Sequence, residues 1–304
     1  MGMVERDNMI SESESVDEKK SKTGRPLVSI ITPVLNSIKY LEICIQSVLD
    51  QSYPYIEHIF VDGGSTDGTL DILTSYKDRY PGRIRFVSEQ DKGTGEAWNK
   101  GLRMAKGVIF GWLGSDDTYE KDAVLAVVEF FKSNPNAYFV FGGCDTINEK
   151  GEIIGKSTSK DFNLEEIINK GNYVPATSSF YRREIIEKVG LYDNIHGNDL
   201  DYLIRVAKVF QIHRIEKVLS NFRIHRESAT TGSGSKTRIL LENYIVSKRH
   251  GGHIFSAYGR RYFTTVIIER LQPILGRVYP FMKQVGKRMK SKLPHCSQIW
   301  DSFW

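Results

Sequence analysis

Cysteine is scarce in this chain of 304 residues, and the three present, Cys44, Cys144 and Cys296, lie far apart. That spacing supplies neither a disulfide framework nor a zinc cluster, and it fits a reducing compartment. Long apolar runs are missing as well. No uninterrupted stretch approaches the roughly 18 to 20 residues of a membrane span, and the start of the chain is too polar for a secretory leader. Residues 1–25 are rich in Ser, Glu and Lys and nearly empty of core-forming side chains, so they are read as a disordered tail. Gly2 follows the initiator Met, but Arg6 stands where a myristoylation signal takes Ser or Thr, which argues against that anchor. A cytoplasmic protein is expected, with any membrane contact peripheral and on the inner face.

What is present is enough for a globular fold. A hydrophobic content of 40% over this length suits one large α/β domain with an appendage, or two small domains. The net charge of +5 hides an asymmetry. From Lys236 onward there are 13 Lys and Arg against Glu242, Glu269 and Asp301. Such a tail calls for an anionic partner, a membrane surface or a nucleic acid.

The most informative stretch is Val108 to Asp117, an apolar run that stops on two adjacent carboxylates. A β-branched and aromatic run bounded by Gly reads as a buried strand of a parallel sheet. Its acids then stand at the carboxyl edge, where open α/β sheets bind ligands, and they suit a hard cation such as Mg²⁺ or Mn²⁺. Asp117 is open to two roles, joining Asp116 on that cation or capping a helix expected over Thr118–Lys132. Upstream, Val28–Val34 reads as a strand, and Leu41, Cys44, Ile45, Val48 and Leu49 recur at helical spacing. Ile56–Val61 is a second strand ending at Asp62, followed by the glycine-rich turn Gly63 to Thr69 and a helix to about Tyr80. Exposed N–H groups at such a turn favour anions. Ile84–Val87 is a third strand, and Glu96–Ala105 a third helix. Four strand-helix units make a doubly wound sheet.

The segments Ser29 to Asn36, Val61 to Thr69, Asp91-Lys92-Gly93 through Asn99-Lys100-Gly101, and Ser115-Asp116-Asp117 together resemble the family 2 inverting glycosyltransferases of GT-A fold. The likeness covers about residues 26–228 and is greatest to the bacterial enzymes of O-antigen, capsule and exopolysaccharide assembly. It implies that Thr32, Pro33 and Asp62 line a nucleotide pocket with Ser115 beside them, that Asp91 and Lys92 border it, and that Asp116 is the metal-binding carboxylate of an Asp-x-Asp motif. The chain departs from the pattern twice. Gly63 stands where many members carry an Asp that contacts uracil, and Gly114 where many carry Asp or Asn. The base of the donor, UDP-, GDP- or dTDP-sugar, therefore stays open.

After Ser133-Asn134-Pro135 the pattern becomes less regular. Tyr138–Gly143 and Ile153–Lys156 read as paired strands around a turn, and Thr177–Tyr181 and Lys217–Ser220 as further strands. Asn198-Asp199-Leu200-Asp201-Tyr202-Leu203-Ile204-Arg205 aligns with the family's Glu-Asp segment, which implies Asp199 as the catalytic base. Without that likeness, Asp199 and Asp201 would simply favour a helix dipole, and a helix start is expected to keep Asp199 ionised. Phe222-Arg223-Ile224-His225-Arg226 matches the closing Arg-x-His element, which implies His225 at the metal or the pyrophosphate. In the tail, Phe263 to Val278 and Phe281 to Leu293 carry apolar residues at helical spacing, with bases opposite in the second stripe. A basic helix of this kind either lies on an anionic membrane or packs on the catalytic domain.

The expected architecture is an α/β, GT-A chain. A nucleotide-binding half at 26–133 is followed by a mixed acceptor half at 134–235 and a basic helical extension at 236–304. The expected reaction is metal-dependent, inverting sugar transfer to a saccharide acceptor, lipid-linked where the enzyme serves surface polysaccharide. No nucleic acid is expected as a partner. A sugar-nucleotide pyrophosphorylase would carry an Arg- and Lys-containing Gly-rich loop after the first strand, and that loop is missing. A non-catalytic adaptor would have lost the metal acid or the base, and both are kept.

Overall fold

The computed structural model describes residues 24–91, 93–157, 159–193, 199–228 and 236–267. Residues 1–23, Lys92 and the stripe from Phe281 to Leu293 lie outside the described residues.

Alternating strands and amphipathic helices build the first half. β1 (Val28–Val34), β2 (Ile56–Asp62), β3 (Ile84–Ser88) and β4 (Ile109–Trp112) run parallel in the order β3-β2-β1-β4. Successive residues of a strand face opposite sides. Ile30 accordingly packs with Cys44 and Val48 of α1 (Leu41–Leu49) and with Val124 and Val127 of α4 (Ala123–Ser133). Its neighbour Ile31 packs with Trp98 and Leu102 of α3 (Thr94–Met104) on the other side. Leu73 of α2 (Thr69–Arg79) joins Leu41, Ile45 and Phe60 on the α1 side. Gly101 permits the closest approach of α3, since a Cβ there would meet Ile31 Cγ2 at 2.4 Å.

The second half extends the same sheet in mixed directions. β8 (Ser179–Arg182) runs antiparallel to both β4 and β6 (Phe139–Ile147), and β9 (Ile212–Arg223) runs parallel to β6. The short strands β5 (Thr118–Tyr119) and β7 (Ile153–Gly155) pair antiparallel with β9 and β6. The helix expected from Thr118 begins instead at Ala123. Thr118 and Tyr119 are drawn into the ladder opposite Asn221 and Ser220, and the Tyr119 hydroxyl donates to the Trp112 carbonyl at 2.8 Å. Asp117 therefore caps no helix. The strand expected at Thr177 starts two residues later, after a short 3₁₀ turn at Ala176–Ser178. The strand expected at Lys217–Ser220 runs the full length of β9, because its two ends find partners on β6 and β5.

α5 (Leu164–Asn169), α6 (Glu184–Val189), α7 (Asp199–Ala207) and α8 (Lys236–Arg249) lie on the α3 side of the sheet. Val246 of α8 and Tyr258 are buried in the cluster that holds Ile167 and Tyr202. The Ser247 and Tyr258 hydroxyls donate to the carbonyls of Ile168 and Ile167, so the chain from 236 to 258 is docked on the second half of the domain.

Candidate functional site

Three loops meet at the carboxyl ends of β1, β2 and β4. The first two are stitched by side-chain caps. Asn36 Oδ1 accepts from Thr66 N–H at 2.9 Å, Ser65 Oγ from Asn36 N–H at 2.8 Å, and Thr69 Oγ1 from Ser37 N–H at 2.9 Å. Asp62 ends β2 fully buried, and its carboxylate accepts from Gly64 N–H at 3.0 Å and from the hydroxyls of Ser65 and Ser88. Burial works to raise this carboxyl, and the surrounding donors overcome it, so it lies below the usual range. Asp62 is thus an ionised pin inside the glycine-rich turn. Asp91 stands beside it across Gly63, where a Cβ would meet Asp91 Oδ2 at 3.2 Å. The Thr32 side chain is buried and bonds His58 Nε2 at 2.9 Å, so what the end of β1 offers a ligand is backbone and Pro33.

The third loop carries the acids. Ser115 Oγ lies 2.8 Å from Ser37 Oγ, tying this loop to the first. Asp116 keeps a quarter of its side chain exposed, and its Oδ2 lies 2.8 Å from His225 Nε2. Asp117 turns inward. It is buried, and its Oδ1 accepts from Arg223 N–H at 2.9 Å. Burial first, and then the charge of Asp116, pushes its carboxyl well above the ordinary value. Arg223, itself buried, completes the frame by donating from Nε to the Asp116 carbonyl at 2.8 Å and from Nη1 to the Asn148 carbonyl at 2.9 Å. Its guanidinium lies over the Tyr40 ring, which also packs on His225. The long β9 exists in part to return Arg223 and His225 to the end of β4.

These atoms fit a divalent cation shared with a ligand. Asp116 Oδ2 and His225 Nε2 are hydrogen-bonded to each other as they stand, and each is of the donor type that could instead face a cation. Among the described residues no group of three or more His, Cys, Asp or Glu could hold a metal. Two protein donors would leave most of such an ion's shell to water and ligand oxygens, which is usual for Mg²⁺. Asp117 fits such an ion poorly, being buried and engaged by Arg223.

Asp199 opens α7 in a different setting. It lines a cavity with Trp98, Trp112, Tyr181, Tyr192 and Tyr202. Tyr192 stacks on Tyr202 with centroids 4.1 Å apart, and Trp98 lies 4.3 Å from Trp112. Loss of water among these rings pushes the carboxyl up to about 6, opposite in direction to the pull of a helix start, and still leaves it mostly ionised at neutral pH. Loss of water outweighs the end of a helix of nine residues. β4 connects the two settings, since Trp112 borders the Asp199 cavity and Asp116 follows it on the same loop.

The structure thus gathers Pro33, Asp62, Asp91, Ser115, Asp116 and His225 along one edge, with Asp117 beneath and Asp199 in the neighbouring aromatic cavity. Arg223 had no role assigned from sequence, although it stands two residues before His225. The aromatic lining of Asp199 had no local signal, because its rings come from α3, β4, β8 and α7.

The profile described as Glycosyl transferase family 2 matches residues 29–190. The chain is 30% identical over 221 residues to the chondroitin synthase of Escherichia coli, covering 72% of this chain and 32% of that protein. It is 41% identical over 133 residues to the putative teichuronic acid biosynthesis glycosyltransferase TuaG of Bacillus subtilis, covering 43% of this chain and 52% of that one. It thus spans only about a third to a half of these two relatives. Among solved structures, S. aureus TarS 1-349 in complex with UDP matches with a TM-score of 0.54 at 20% identity, over 72% of this chain and 65% of that one. The mannosyltransferase PcManGT from Pyrobaculum calidifontis, in complex with GDP-Man and Mn²⁺, matches with a TM-score of 0.54 at 18% identity, over 74% and 63%. At these identities the structures establish the likeness of fold, a curled, mostly parallel GT-A sheet.

Proposed function

Because the chain belongs to glycosyl transferase family 2, we propose that it moves a sugar from a nucleotide-diphosphate donor to a saccharide hydroxyl in bacterial polysaccharide synthesis, with inversion and with a divalent cation. The observation that carries this reading is the shared strand end. β4 brings Asp116, facing His225, and Trp112, bordering Asp199, to the same edge, so a diphosphate site and a candidate base are neighbours. The UDP and GDP-Man complexes of the structural relatives support a nucleotide-sugar donor, and the Mn²⁺ of one supports the cation.

In this mechanism Asp116 and His225 would hold Mg²⁺ or Mn²⁺, which when bound would supply positive charge beside the departing nucleoside diphosphate. Asp62 keeps the glycine-rich turn in shape, and Pro33, Asp91 and Ser115 border the nucleotide. Asp199 accepts the proton of the acceptor hydroxyl as its oxygen bonds to the anomeric carbon. The anomeric bond to the diphosphate breaks on the opposite face, and its electron pair leaves with the nucleotide. A carboxyl near 6 is ionised at neutral pH yet basic enough to take that proton. A screen of UDP-, GDP- and dTDP-sugars for metal-dependent turnover tests the reading, and turnover unaffected by chelator would remove the cation from it.

A peripheral membrane site is a second element of the proposal. The helical segment 257–267 exposes Phe263 and Ile267 with Arg260 and Arg261, just after the exposed Ile254 and Phe255. No helix among the described residues is long and apolar enough to cross a membrane. Each base near an anionic surface contributes about 1 kcal/mol, screened by salt. Since 236–258 is docked on the catalytic domain, the informative truncation ends at Gly259, which removes Arg260, Arg261, Phe263 and Ile267. The whole chain is expected to float with anionic liposomes and the truncated one to float less; equal flotation would place the anchor elsewhere.

A further inference from the structure

The buried acid two residues beyond Asp199 has a partner that no motif assigns. Asp201 is 2% exposed, and its Oδ1 lies 2.9 Å from Nε2 of His250, at the end of α8. The other ring nitrogen, Nδ1, lies 2.9 Å from Lys208 Nζ. A lysine ammonium only donates, so Nδ1 accepts, and Nε2 carries the hydrogen given to Asp201. The ring is thereby held in one orientation between two side chains, both belonging to α7 or the turn that follows it.

The far side of Asp201 is bound equally well. Its Oδ2 accepts from Arg205 Nε at 2.8 Å, and the same guanidinium donates to the carbonyls of Val189 and Leu191 at 2.9 Å each. Those carbonyls belong to the end of α6 and the strand of chain leading to Tyr192, whose ring lies against Tyr202 in the Asp199 cavity. A continuous path therefore runs from His250 through Asp201 and Arg205 to the wall of that cavity. Arg249 adds a contact at 3.5 Å to Asp201 Oδ1 and an ion pair with Asp193 at 2.9 Å. The donors around Asp201 hold its carboxyl below the usual range despite burial, the opposite of its neighbour Asp199.

We propose that His250 is a positioning residue for sugar transfer, locking the first turn of α7 through Asp201 so that Asp199 meets the acceptor hydroxyl in register. The inference rests on Asp199 being the base. It assigns the docked part of the basic tail a catalytic purpose separate from any membrane contact. Misplacing a reacting group by about 1 Å can cost about 10²-fold in rate, so a clamp on this turn acts on kcat, while the donor edge, built on β1, β2, β4 and β9, is left alone.

The test compares His250→Ala and His250→Gln in the full-length protein, with Asp199→Asn beside them. His250→Ala is expected to lower kcat by about 10- to 100-fold with donor KM within about twofold, and His250→Gln, which keeps a donor toward Asp201, to recover most of the loss. Lys208→Ala, which frees the ring to turn, is expected to fall between them. If His250→Ala leaves kcat within twofold while Asp199→Asn loses transfer, the base stands and the clamp is wrong. If Asp199→Asn transfers normally, both fall. If His250→Ala weakens donor binding and kcat together, or His250→Gln fails to restore a well-folded His250→Ala enzyme, His250 only holds the fold and the inference is overturned.

Discussion

The donor edge and the Asp199 cavity use the same side-chain chemistry to opposite ends. At the edge, Asp62 is buried in a cage of hydroxyls and N–H groups, and its carboxyl is held down. In the cavity, Asp199 is half-buried among aromatic rings, and loss of water drives its carboxyl up to about 6. Burial alone does not decide the outcome; what replaces the lost water does. The carboxylate that organises backbone is surrounded by donors, and the one proposed to exchange a proton lies against mostly aromatic walls. Asp116 keeps part of its side chain exposed and is hydrogen-bonded to His225.

The contrast can be broken first at the edge. Asp116→Ala should cut transfer by about 10²-fold or more, because a bound cation supplies several kcal/mol of charge stabilisation. Calorimetry with UDP or GDP should show binding that weakens with chelator in the wild type and no longer responds to it in the variant. The cavity is tested next by pH. Asp199 works as base only when ionised, so the rate should fall about tenfold per unit as pH drops below about 6 and level off above it. In donor binding the same acid limb should be absent.

Two smaller effects sharpen the comparison. A Cβ at Gly114 would stand 2.6 Å from Asp117 Oδ2 and 3.0 Å from Asp116 Oδ1. Gly114→Ala should therefore destabilise the fold by about 1 to 3 kcal/mol and weaken donor binding, with Asp117 unable to yield because Arg223 holds it. A denaturant midpoint unchanged from wild type would show that the acid loop is looser than described. The two aspartates should also move stability with opposite signs. Asp62, with its native carboxyl lowered, contributes stability that is present above the ordinary value of 3.8 and lost as pH falls through its native value. Asp199, raised from 3.8 to about 6, binds its proton more tightly when folded, so stability present at low pH is lost as pH rises through that window. At pH 7, Asp62→Asn should lower Tm and Asp199→Asn should raise it, by a few degrees each. Shifts of the same sign would undo the contrast.

The first half of the fold was legible because each strand and helix there carries its own period. Ile30 and Ile31, Leu41 to Val48, and the stop at Asp62 are local signals, and they put the carboxyl edge of the sheet where it is found. The second half was legible only in part. Thr118 and Tyr119 look like a helix start until β9 arrives beside them, and β9 is long because of partners more than 70 residues away in sequence. The raised Asp199 carboxyl needed rings from four separate elements, and His250 reaches Asp201 across a fold that brings α8 back onto α7. Periodicity reports what a segment buries, not what it is buried against.

The most direct test of the division between edge and cavity is one pair of measurements on Asp199→Asn, transfer rate and donor affinity, with Asp116→Ala as the reference. Transfer should fall by about 10² to 10⁴-fold in Asp199→Asn while its donor affinity matches wild type, whereas Asp116→Ala loses both. An Asp199→Asn enzyme that transfers at the wild-type rate, or that loses donor affinity in step with transfer, would contradict the account.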